Sequence, residues 1–335
     1  MTAVEESWKA LRQEGRAETG WHVRRIFADA SCEILAGIRQ PDGLPGLLLE
    51  VEVDDVPSGL VFPQSRGFSV DPVLLDGGIA GRVRFALSLT DPTYAAVFGV
   101  LCEDTASAAG AAKRPKQALR DFSARLHVWQ EFMARHGSDG LSDDAVIGLH
   151  GELRFLRDRL APCAGWNLSI DAWSGPLGEP NDFALPRGFV EVKTTTRQTP
   201  ELIEISNIDQ LDDSRGRILL THVRLQSDPG GESLVQLVSS VRAGAAVDGI
   251  DRLRRLNDLL LAAGYLDAHA SLYGRAWRTS GIDLFGVVDG FPRLRRDDLR
   301  PGVRNCRYTI EVAACSTHAV DPAALEALVQ GDGNG

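Results

Sequence analysis

Between Pro180 and Lys193 two short apolar runs meet at a turn: Asp182-Phe183-Ala184-Leu185, then Pro186-Arg187-Gly188, then Phe189-Val190-Glu191-Val192-Lys193. Proline and glycine punctuate two short apolar runs, a pattern that reads as two strands joined by a turn. In an extended strand alternate side chains share a face, so Glu191 and Lys193 project together while Val190 and Val192 face the other way. With Asp182 ending the preceding strand, the hairpin brings its carboxylate beside that of Glu191. Two carboxylates and one amine at such a point can hold a hard divalent cation and help a water attack a phosphodiester. The competing reading of the same residues is a hairpin with polar groups on its wet face.

The segments around the hairpin alternate between helix and strand. Leu119, Phe122, Leu126, Trp129, Phe132 and Met133 recur at three to four residues and predict an amphipathic helix from Lys116 to about Arg135. Ser142 offers an N-cap for a second helix, Asp143 to about Leu160, with acids in its first turn and an apolar stripe of Val146, Leu149, Leu153, Leu156 and Leu160. Glu152 lies at the edge of that stripe, where a solvated glutamate is the ordinary explanation. Downstream, Arg217 to Leu225 predicts a strand, Ser233 to Ala243 and Asp248 to Ala263 helices, and Ile282 to Val288 and Arg307 to Ala313 strands. Asp321 to Leu328 closes the chain as a helix, followed by a disordered Gly-rich tail of five residues.

The first hundred residues read differently. Glu33 to Ile38, Gly46 to Val53, Phe68 to Pro72 and Val83 to Leu89 are β-formers separated by clusters such as Pro41-Asp42-Gly43 and Asp76-Gly77-Gly78. A short helix from about Glu5 to Glu14 precedes them, Tyr94 to Cys102 fits helix or strand, and Ala106 to Pro115 reads as a linker or exposed loop. Two regions follow: a β-rich N-terminal region, 1–112, and an α/β domain with a C-terminal extension, 113–330, whose core spans about 116–290.

A net charge of −10 over 335 residues argues against a protein that coats nucleic acid nonspecifically, which needs a basic surface to displace counterions. A local basic strip remains open, at Lys113, Arg114 and Lys116 or at Arg293, Arg295 and Arg296, with solvated surface charge as the alternative for each. The five cysteines are scattered and lack metal-ligand spacing, and the seven histidines show no paired spacing. His150 lies about 200° around its helix from Glu152 and should not share a site with it. Reduced thiols, no membrane-length apolar run and a polar N-terminus together predict a cytoplasmic protein.

The ordered helix, strand, turn and strand, with acids on the helix and both strands, suit Mg²⁺, which prefers oxygen ligands and retains waters. Asp182 and Glu191 are the candidate direct ligands, with the Val192 carbonyl as a third. Lys193 cannot be a ligand while protonated. Its candidate work is to orient the attacking water, assist its deprotonation or balance charge on the transition state.

These residues resemble the PD-(D/E)XK nuclease superfamily, whose core has an acid on a helix, then a strand with Asp, then a strand with Glu-x-Lys. Here Glu152 lies in Leu149-His150-Gly151-Glu152-Leu153, Asp182 in Pro180-Asn181-Asp182-Phe183, and Glu191 and Lys193 in Val190-Glu191-Val192-Lys193-Thr194-Thr195. The chain is also similar to a bacterial group of PD-(D/E)XK motif proteins, through Trp173-Ser174-Gly175-Pro176, Gln210-Leu211 and Phe291-Pro292-Arg293 as well. One departure is Asn181, which stands between the motif's Pro and Asp.

The resemblance implies an α/β fold with a restriction-endonuclease-like core, a mixed sheet flanked by helices, preceded by the β-rich N-terminal region. It implies a Mg²⁺-dependent endonuclease acting on DNA (Mn²⁺ substituting), in restriction or antiphage defence, with a methyltransferase or ATPase as partner and a homodimer for double-strand cleavage. Glu152 would assist through the metal sphere or its waters. Gln210 would position phosphate or water, or only cap a turn. The alternative is a non-catalytic DNA-binding or assembly subunit of a restriction complex that keeps the nuclease fold.

Overall fold

The β-forming runs of the first hundred residues are strands in a computed structural model of the protein, which describes residues 2–14, 19–73, 81–196 and 201–330. The Asp76-Gly77-Gly78 turn and the Gly-rich tail lie outside the described residues. Helix α1 (Ala3–Glu14) precedes strands β1 (Gly20–Ile26), β2 (Glu33–Gln40), β3 (Leu44–Glu52), β4 (Phe68–Val73) and β5 (Arg82–Leu89). They form one antiparallel sheet in the order β1-β2-β3-β5-β4. The apolar face of α1 docks on it, with Trp8 Nε1 donating to the Gly46 carbonyl at 2.9 Å. Helices α2 (Ala95–Gly110) and α3 (Pro115–Arg135) complete this compact unit, Met1–Asp139.

The linker expected over Ala106 to Pro115 is corrected in its first half, which is the last turn of α2 with Ala106 and Ala109 fully buried. Small side chains there permit close helix packing, a use that composition alone does not separate from a flexible loop. Strand β1 escaped the sequence reading because Arg24 and Arg25 are consecutive exposed residues that break its alternation.

The second compact unit, Gly140–Gly335, holds the α/β core. Ser142 caps helix α4 (Asp143–Phe155), accepting from Ala145 N at 3.3 Å, with Asp143 and Asp144 in the first turn as the helix dipole favours. The expected single helix to Leu160 instead passes through a π-helical turn, Leu156–Leu160, into α5 (Ala161–Ala172). Then follow β6 (Phe183–Leu185), β7 (Gly188–Thr195), β8 (Leu202–Ile205), β9 (Arg217–Ser233), α6 (Leu234–Val247), α7 (Ile250–Ala262), β10 (Ala276–Gly286), β11 (Tyr308–Glu311) and a closing helix, Ala323–Val329.

The main sheet runs β10-β9-β7-β6 and is mixed: β7 and β9 are parallel, the outer pairs antiparallel. Alternation assigns its two faces. Val190, Val192, Leu219, Val223 and Leu225 join the helices in the larger core, whereas Ile218 and Leu220 pack with Ile203, Ile205 and Ile310 of the β8–β11 pair. Glu191, Lys193 and Thr195 therefore lie on the face turned away from α4. Among the described residues no helix is long and apolar enough to cross a membrane, and all five cysteines are free.

Candidate active site

Helix α4 comes down on β7 at Gly151. A Cβ there would lie 1.7 Å from Thr194 Oγ1 and 2.9 Å from its Cβ, so only glycine admits this approach. The contact sets the height of the next residue, Glu152, at the sheet margin. Gly151→Ala should therefore lower stability by about 1–3 kcal/mol through overpacking, although alanine favours helix. Urea unfolding would show it, and Thr194→Ala added to that variant should restore most of the loss.

Asp182 is held from three sides. Its backbone carbonyl accepts from Ser174 N at 2.8 Å and Gly175 N at 3.0 Å, and its Oδ2 accepts from Val192 N at 2.7 Å. A Cβ on Gly175 would meet Asp182 Oδ1 at 2.9 Å and Glu152 Oε2 at 3.5 Å, so these two carboxylates flank one point in space. Trp173, fully buried, donates its Nε1 to Glu152 Oε2 at 2.8 Å. The Trp-Ser-Gly-Pro stretch thus forms a collar around both acids, a role that its sequence did not disclose.

The β6–β7 register pairs Phe183 with Val190, and extending it by one residue sets Asp182 opposite Glu191. Glu191 is 1% exposed and its Oε1 lies 2.9 Å from Lys193 Nζ. Lys193 Nζ also donates to Gln210 Oε1 at 3.1 Å. Gln210 sits in a 3₁₀ turn, Ile208–Leu211, where the same oxygen accepts from Ser206 N at 3.0 Å and Asn207 N at 3.4 Å. Gln210 caps its turn, and the same side chain also touches the lysine.

Asn181 is the residue that sequence reasoning passed over. Its amide donates to the Gln210 carbonyl at 2.7 Å and to Glu191 Oε2 at 3.4 Å, while its Oδ1 accepts from Arg215 at 2.7 Å. Arg215 lies over the Phe189 ring, 4.7 Å from its centroid. A buried amide that bridges the carboxylate strand and the Gln210 turn explains why asparagine precedes the aspartate. The only signal in the sequence was its departure from the Pro-Asp pattern.

Burial raises all three acids, and the Asp182 charge raises Glu152 and Glu191 further. Loss of hydration lifts Asp182 to about 6 against the pull of the Val192 N–H and Lys193. Burial first, then the Asp182 charge, lifts Glu191 to about 8. Glu152 is pushed well above the usual carboxylate range by burial and by Asp182, with the Trp173 hydrogen bond acting the other way. Buried acids this close titrate as a group, and Glu152 and Glu191 hold their protons more tightly because of the Asp182 charge.

Among the described residues no three His, Cys, Asp or Glu side chains converge closely enough to cage an ion by themselves. The fit is of a different kind. Asp182 and Glu191 face each other, and the Val192 carbonyl points toward the β6 side, as its N–H does. Two carboxylates and a carbonyl are what Mg²⁺ takes from a protein when water and phosphate oxygens complete its sphere. Glu152 lies beside Asp182, across the Gly175 position.

Other polar groups fall away from this cluster. His150, fully buried, bonds the Glu232 carbonyl at 3.1 Å and meets Trp277 edge to face, apart from Glu152 as the helical angle predicts. Trp277 is 2% exposed and belongs to the core. His222 is a neighbour that no local motif marks. The parallel register sets it opposite Lys193, and its Nε2 lies 2.8 Å from Thr195 Oγ1. Burial lowers its proton affinity, so it is a neutral hydrogen-bonding neighbour.

A model of the DUF4420 family, described as "Putative PD-(D/E)XK family member", matches residues 4–313. No curated protein and no solved structure matches the chain.

Proposed function

The chain belongs to the DUF4420 family of PD-(D/E)XK members, and from that premise we propose a Mg²⁺-dependent nuclease that hydrolyses DNA phosphodiester bonds. The reading extends to an endonuclease of a bacterial restriction or antiphage defence system, with a methyltransferase or ATPase of that system as partner. A second copy of the chain would serve cleavage of both strands. One arrangement supports it above all: Lys193 Nζ bridges Glu191 and Gln210 beside the buried carboxylates of Asp182 and Glu152, with the Asp182 charge raising the proton affinity of Glu152 and Glu191.

Asp182, Glu191 and the Val192 carbonyl would hold the ion, with Glu152 acting through water. When bound, Mg²⁺ supplies Lewis-acid polarisation of the phosphate and a more acidic water. The protein's own contribution centres on Lys193. An ammonium has three donors, and Glu191 and Gln210 take two, leaving one for the attacking water or a non-bridging phosphate oxygen. Gln210 fixes the direction of that donor, because its own oxygen is pinned by the backbone of Ser206 and Asn207. Asn181 steadies Glu191 and the turn together. The water oxygen joins phosphorus, the sugar oxygen leaves, and the proton released by water passes to the leaving oxygen through solvent or the site's carboxylates.

The non-catalytic alternative draws on the same Lys193–Glu191 contact, which offsets one buried carboxylate without any ion. Calorimetry with Mn²⁺ separates the two readings, because an assembly subunit has no need to bind it. The direct test of the proposal is incubation of modified and unmodified plasmid in Mg²⁺, beside the Lys193→Ala protein.

A pH dependence follows from the acids. The folded state holds protons on Glu191 and Asp182 more tightly than the unfolded chain, so their contribution to stability is fully present below about pH 4. It is lost as pH rises through about 6 for Asp182 and about 8 for Glu191. Without divalent ions, this cluster should lower Tm as pH increases from 5 to 8. Mg²⁺ or Mn²⁺ should raise Tm most at the upper end and release protons on binding, read as calorimetric heats that vary with buffer ionisation enthalpy. Identical heats in every buffer would contradict the protonated cluster.

A further inference from the structure

Between Arg293 and Arg307 the chain carries six arginines against two aspartates, within a protein of net charge −10. The segment is fastened to the turn that holds Gln210. Arg293, its side chain 3% exposed, donates to the Leu211 carbonyl at 2.6 Å and to Asp213 at 2.7 Å. Arg296 grips Asp209 at 2.6 Å, and Asn305 Oδ1 accepts from Ile208 N at 3.2 Å. Strand β11, directly after the segment, pairs with β8, directly before the turn.

The arginines divide by partner. Arg293, Arg295, Arg296 and Arg307 are paired with Asp213, Asp289, Asp209 and Glu204. The Arg293–Arg296 cluster singled out from sequence is therefore largely spent on anchoring. Arg300 and Arg304 are exposed and have no ion pair among the described residues. Each stands close to an anchor: Arg304 precedes Asn305, and Arg300 follows the short turn Arg296–Asp298. Two free guanidinium groups are thus tied to the structural turn that positions Lys193.

We propose that Arg300 and Arg304 form a phosphate-docking strip that seats the DNA backbone beside the carboxylate cluster. This deepens the nuclease reading and rests on it. An acidic chain repels DNA as a whole, but screening confines that repulsion to about 8–10 Å at ordinary salt, so a local basic strip suffices for docking. Anchoring to the Gln210 turn fixes the register of the backbone relative to Lys193. Phosphate contacts of this kind orient a duplex without reading its sequence.

The test uses the full chain and a fluorescent duplex, with anisotropy measured in EDTA between 50 and 300 mM salt, so that binding is read apart from cleavage. Arg300→Ala/Arg304→Ala should flatten the slope of log K against log salt by about 1.8 and weaken binding roughly 30-fold at 150 mM. Lys113→Ala/Lys116→Ala, with the same charge loss in the other basic cluster, should keep wild-type affinity and slope. The strip is overturned by an unchanged slope in the Arg300/Arg304 variant, by equal losses in both variants, or by wild-type protein that does not bind. A parallel plasmid assay in Mg²⁺ separates the two proposals. Strip-dependent binding without cleavage removes the nuclease reading alone, and cleavage with strip-independent binding removes the strip alone.

Discussion

Lys193→Ala should reduce plasmid cleavage in Mg²⁺ by about 10²- to 10⁴-fold, the range for loss of a positioned proton-handling group. The side chain is 16% exposed, and its amine ends on Glu191 and Gln210. Removing it leaves Glu191 buried without a positive neighbour. That carboxyl already holds its proton to about pH 8, so protonation relieves the uncompensated charge and the fold survives at neutral pH. Circular dichroism and thermal unfolding should stay close to wild type. Divalent-ion binding should persist or strengthen, since the ammonium no longer competes for Glu191 Oε1. Cleavage at the wild-type rate by a preparation free of contaminating nuclease would remove Lys193 from the chemistry.

Asp182→Asn should abolish the stabilisation by Mn²⁺ or Mg²⁺ and reduce cleavage on the order of 10³-fold, equivalent to several kcal/mol of lost charge stabilisation. The substitution preserves the scaffold. An amide oxygen can still accept from Val192 N, and the Ser174 and Gly175 bonds go to the backbone carbonyl. What disappears is the charge that, after burial, contributes most to raising both Glu152 and Glu191. Both should therefore ionise at lower pH in the variant, weakening the apo protein's dependence on pH between 5 and 8. Combined with Lys193→Ala, the loss should not multiply, because residues that act as one unit fail together. A normal Mn²⁺ isotherm in Asp182→Asn would show that the hairpin acids are structural.

The parts of the site most legible in the sequence were those governed by short-range periodicity. Two-residue alternation sorted Glu191 and Lys193 from Val190 and Val192, and helical spacing separated His150 from Glu152. What escaped depended on long-range contact. Nothing local says that Asn181 will span Glu191 and the Gln210 carbonyl, or that Trp173 will hold Glu152 from twenty-one residues away. Breaker residues misled in another way. Strand β9 was expected to stop at Leu225, before Asp228-Pro229-Gly230-Gly231, but it continues to Ser233. Its partner strand shifts register there, with Ala276 opposite Ser233 and Trp277 opposite Ser227, so the breakers are accommodated in a bulge. The basic segment was legible as charge but not as function, since only tertiary pairing separates anchoring arginines from free ones.

Parallel strands cannot be joined by a tight turn, so the step from β7 to β9 requires a crossover, and that crossover carries Gln210. Synthesis delivers Glu152, Asp182, Glu191 and Lys193 from the ribosome before the residue that aims the lysine. A nascent or truncated chain ending before Gln210 would therefore hold its acids and amine without their alignment. For an enzyme proposed to cut DNA inside the cell that makes it, the order of emergence withholds an aligned site until the crossover has been made.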